Sequence, residues 1–82
     1  MNESDRQEFL AQLEHLKSLA ERAYGDMYET GSASGAAACY SQARFCYRDA
    51  IRLATELGLT QEAERLNLQM ELLGSAFHGQ FG

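Results

Sequence analysis

The sequence predicts an all-α fold, a three-helix antiparallel up-down-up bundle, and three observations lead there. Apolar residues recur in alternating steps of four and three along three separate segments. No segment alternates with period two, the pattern of a half-buried strand. Glycine-bearing breaks at Gly31 to Gly35 and at Gly58 part the segments, and the chain has no proline to interrupt them elsewhere.

The first helix is expected over about residues 5–29, with a seam of Phe9, Leu13, Leu16, Ala20, Ala23 and Met27. Leu10, Leu19, Tyr24 and Tyr28 widen that seam on the wheel. Ser4 followed by Gln7 forms a capping box for its start. Thr30-Gly31-Ser32-Ala33-Ser34-Gly35 reads as a flexible loop. The second helix, about 35–57, repeats through Ala36, Tyr40, Ala43, Tyr47, Ala50, Ala54 and Leu57. Cys39, Cys46 and Leu53 on one flank and Ile51 on the other broaden its apolar arc, as suits a helix touching both neighbours.

Gly58 is placed as the left-handed residue that closes the second helix. Thr60 is the expected N-cap of a third helix over about 61–73, with the seam Ala63, Leu66, Met70 and Leu73. Gly74 is expected to end it, a frayed extension to Phe77 being the alternative. The domain thus spans residues 1–74, and 75–82 form a flexible tail. The short Gly58-Leu59-Thr60 link sets the last two helices antiparallel.

A chain of 82 residues with a formal net charge of −5 is one small domain, and an acidic one. It gains nothing from counterion release at phosphates, and anionic lipid repels it, so neither nucleic acid nor membrane is an expected partner. The polar, acidic start is no secretory signal, and no apolar run nears the roughly 18 residues of a span. A cytoplasmic location is expected.

Chemistry-bearing side chains are few. Cys39 and Cys46 share one helix, about 10.5 Å apart along its axis, beyond the roughly 7 Å that a disulfide spans. Neither has a second ligand one turn away, so they read as small buried hydrophobes rather than a zinc site. His15 lies on the polar side of the first helix without an acid–base partner, and His78 sits in the tail. Gly31 and Gly35 lack the lysine and the preceding strand of a phosphate loop. No catalytic, cofactor-binding or metal residue is assigned, and the chain is not expected to be an enzyme.

Other residues point outward. Arg44, Arg48 and Arg52 form a single-sign stripe, to be paired with acids such as Glu14 or Glu21 across the bundle or turned to a partner. Phe45 lies among them, almost opposite the apolar seam. Leu68 and Leu72 stand one turn apart, off the third seam. Apolar residues that a lone bundle leaves uncovered are the stuff of interfaces, and arginines around an aromatic ring are enriched at binding hot spots. Phe45 with its arginines, or Leu68 and Leu72 with the tail's Phe77 and Phe81, are the expected partner-binding residues.

Gly31, Ala36, Tyr40 and Ala43 stand at the spacing found across the turn and second helix of a tetratricopeptide repeat, echoed by Gly58 and Ala63. Over about residues 20–45 the chain resembles a tetratricopeptide-like helical hairpin, which implies a protein-binding scaffold. Ala20, Ala23 and Tyr24 stand where that pattern has its first-helix aromatic and Leu-Gly residues, and no second copy follows at the period of roughly 34 residues. The short, acidic, signal-free helical character is also similar to that of the small co-chaperones of bacterial secretion systems. The expectation is a non-enzymatic protein-protein interaction module, homo-oligomeric (a dimer) or bound to a larger protein, with no cofactor. A secretion-type chaperone or adaptor is the alternative, ahead of a small ligand-binding or enzymatic domain.

Overall fold

A computed structural model describes residues 2–81 and forms them into α1 (Glu3–Glu29), α2 (Ala33–Glu56) and α3 (Thr60–Gln80). No strand occurs among the described residues. This is the expected three-helix bundle, with different helix ends. Asn2, not Ser4, caps α1: its backbone is extended and its Oδ1 accepts the Asp5 N–H at 2.9 Å. Ser4 already lies inside the first turn, where a helical backbone cannot serve as cap. Ser32 Oγ accepts the Gly35 N–H at 3.0 Å, so α2 begins at Ala33 and the expected six-residue loop shrinks to three.

Gly58 behaves as expected, with φ +76°. The Leu59 N–H donates to the Ala54 carbonyl at 2.9 Å and the Gly58 N–H to that of Thr55 at 3.1 Å, the two bonds of a Schellman closure. Thr60 does not cap α3. It is the first helical residue, Leu59 holds the cap position, and no side chain bonds there.

The largest departure is the far end of α3. It does not stop at Gly74 but runs on to Gln80, so residues 75–80 are helix where a flexible tail was expected. Gly74 costs a helix interior about 1 kcal/mol relative to alanine. Aromatic stacking beyond it offsets that cost. Phe77 continues the Leu66–Met70–Leu73 seam and lies flat on Tyr40 of α2, ring centroids 4.3 Å apart and planes 6° from parallel.

α2 is the central helix and packs along both others. Ala20, Ala36, Ala43, Ala50 and Ala54 are fully buried, and their small side chains let the helix axes approach closely. Tyr47, Leu13, Met27 and Leu73 fill the remaining core. α1 and α3 meet mainly through side chains. Lys17 Nζ stands 2.6 Å from Glu62 Oε1, and Tyr28 meets Phe81 with centroids 6.1 Å apart. The body measures 45 × 18 × 13 Å, its length set by α1, whose 27 residues span about 40 Å.

Candidate interaction surface

Phe45 is 65% exposed, Leu68 53% and Leu72 49%, in a chain whose core is otherwise closed. Helix geometry accounts for Phe45 and Leu68. Phe45 lies two residues from the buried Tyr47, and Leu68 two from the buried Leu66, which is roughly 200° round a helix. Each side chain therefore points away from the core that its neighbour fills. A surface hollow of about 330 Å³ beside Phe45 is lined by Phe45, Arg48, Asp49 and Arg52, all on α2. Leu68 and Leu72 lie on α3 and line no part of that hollow.

The arginine stripe does not reach across the bundle. Arg52 pairs with Asp49 on its own helix at 3.3 Å. Arg44 and Arg48 are exposed and have no acid within ion-pair distance among the described residues. Glu14, one expected partner, is taken by Lys17 at 3.3 Å.

Phe77 and Phe81 are not presented on a tail. Both are partly buried and pack against the core. Tyr24, Tyr28, Phe81, Phe77 and Tyr40 follow one another with centroids 4.3 to 6.1 Å apart, fastening the end of α3 to α1 and α2. His78 turns its ring edge-on to Tyr40 and Phe77, at 5.9 and 5.5 Å. Tyr28, 46% exposed, keeps one side of the ladder in solvent. Periodicity places Tyr28 and Tyr40 in seams, but no local pattern signals that they meet the end of α3. Those pairings, Tyr28 with Phe81 and Tyr40 with Phe77, join residues far apart in sequence.

No family model, curated protein or solved structure matches the chain.

The remaining polar groups form one clamp. Glu62 joins Lys17 of α1 at 2.6 Å and Arg65 of its own helix at 2.8 Å. Glu62 Oε1 is buried, and the Lys17 ammonium 2.6 Å away compensates its charge. The Lys17 ammonium, then the Arg65 guanidinium, hold the Glu62 carboxyl below the usual range, and Glu62 raises Lys17 in return. The hollow at the α2–α3 turn, about 800 Å³, is lined by Gly58, Leu59, Thr60, Gln61, Glu62 and Arg65. Its two charged residues are therefore already paired. Cys39 is half-buried and Cys46 buried, both as free thiols, and burial pushes the Cys46 thiol up, away from reactivity. Among the described residues, no three His, Cys, Asp or Glu side chains converge as metal ligands, and no helix is long and apolar enough to cross a membrane.

Proposed function

We propose that this chain is a non-enzymatic protein-interaction module that acts in the cytoplasm as a homodimer or as a small subunit docked on a larger protein. The observation that carries the reading is the exposure of Phe45, Leu68 and Leu72 on a bundle that has already closed its own core. Tyr47, Leu13, Met27 and Leu73 occupy the interior, so these three are not displaced from it by poor packing. The small size points the same way. A domain of this length hides only about 60% of its unfolded surface, and a partner supplies what the core lacks.

Light scattering and affinity purification with Phe45→Asp and Leu68→Asp test it. Both side chains are exposed in the protomer, so both variants should keep the wild-type helicity. The expected result is a wild type heavier than the 9.1 kDa protomer, or one that retains a specific protein, and loss of that species in at least one variant. A wild type that stays at protomer mass, with co-purifying proteins unchanged in both variants, overturns the reading.

A further inference from the structure

The outer face of α2 combines an exposed ring with a charge that the rest of the molecule lacks. α1 holds seven acids (Glu3, Asp5, Glu8, Glu14, Glu21, Asp26, Glu29) against Arg6, Lys17 and Arg22. α3 holds Glu62, Glu64 and Glu71 against Arg65. α2 alone is net basic, with Arg44, Arg48 and Arg52 against Asp49 and Glu56. Its free positive charge is concentrated on Arg44 and Arg48, which flank Phe45 and meet no acid among the described residues.

We infer that this face docks an acidic amphipathic helix of a partner protein, with Phe45 as the apolar knob and Arg44 and Arg48 pairing with the partner's carboxylates. The inference rests on the interaction-module reading above and names the partner class for the Phe45 face. Arg44 and Arg48 stand about 6 Å apart along the axis, roughly one helical turn. Carboxylates spaced one turn apart on a facing helix match that spacing, and a hole between its side chains takes the ring. A second copy fits this face poorly, because self-pairing about a two-fold axis sets arginine against arginine. A planar anionic membrane also fits poorly, since it would meet the acidic helices on either side of the stripe. A single helix about 10–12 Å wide engages the stripe alone.

A benzophenone photo-crosslinker at Ser41, exposed one turn before Phe45, reads the occupant in the source cell. The expected result is a cross-link to another protein, mapped by mass spectrometry to an acidic helical segment. Arg44→Glu with Arg48→Glu should weaken that cross-link about tenfold, while Arg44→Lys with Arg48→Lys, keeping the charge, should retain most of it. Circular dichroism checks that the exposed substitutions leave the fold intact. Cross-linking to a second copy, to a neutral or basic segment, or to lipid, or a yield unmoved by the glutamate pair, overturns the inference while the module reading stands. The absence of any cross-link at Ser41 overturns it too. If the Leu68→Asp protein also keeps the wild-type mass and co-purifying proteins, the module reading falls with it.

Discussion

Replacing Phe77 with alanine removes a ring that lies on Tyr40 at 4.3 Å and meets Phe81 at 5.9 Å. Phe77 is half-buried, so the transfer and cavity loss is about half of the roughly 3–5 kcal/mol found for a fully buried phenylalanine. The lost stacking adds about 0.5–1.5 kcal/mol. Together the change costs about 2–4 kcal/mol. The whole domain is stable by only about 4–12 kcal/mol at the usual stability per residue. At about 4–8 °C per kcal/mol for a domain of this size, the unfolding midpoint should fall by roughly 8–30 °C. Thermal unfolding followed by far-ultraviolet circular dichroism measures it directly. A Tyr40→Ala, Phe77→Ala double-mutant cycle then isolates the stack from the burial. A loose tail would behave otherwise, because exposed substitutions stay within about 0.5 kcal/mol. A midpoint shift below about 3 °C would therefore show that residues 75–80 are not docked.

Gly58, just past the end of α2, and Gly74, inside α3, should respond with opposite signs. Gly58→Ala forces a side chain into φ +76° and should cost about 1–2 kcal/mol, whereas Gly74→Ala sits in a helix with only Tyr40 Oη at 3.9 Å and should gain about 0.5–1 kcal/mol, both read from urea midpoints. Filling the helix contacts should destabilise: Ala50→Leu adds volume at a fully buried site and should cost about 1–3 kcal/mol by the same measurement. The Glu62 clamp gives a pH signature. Its lowered carboxyl pKa contributes stability that is present above the unfolded value and lost as pH falls through the folded one, and the raised Lys17 contribution is present below its unfolded value and lost as pH rises through the folded one. Glu62→Gln should remove the acid limb at a cost of no more than about 1 kcal/mol at neutral pH, checked by unfolding at several pH values; an unchanged acid limb would show that other carboxylates set it.

The number of helices, their seams and the closure of α2 at Gly58 were legible in the sequence, because each is a local matter. Periodicity is set by neighbours three and four residues away, and a left-handed turn is set by one glycine. The outward direction of Phe45, Leu68 and Leu72 was legible for the same reason, since a wheel fixes where a side chain points relative to buried residues on its own helix. Caps were less legible. Asn2 and Ser4 can both accept a backbone N–H, and only the observed path of the chain chose Asn2. The tertiary structure alone decided how far α3 runs and which charges pair. Gly74 says stop, and it is overruled by Tyr40, a residue on another helix that gives Phe77 something to stack on. Glu62 has a helix-start role by position, yet it clamps Lys17 of α1 because packing on α2 brings those two helices within reach. A one-dimensional pattern reports what each segment favours alone. Where a helix ends, and which charge finds a partner, depends on side chains distant in sequence that only folding brings together.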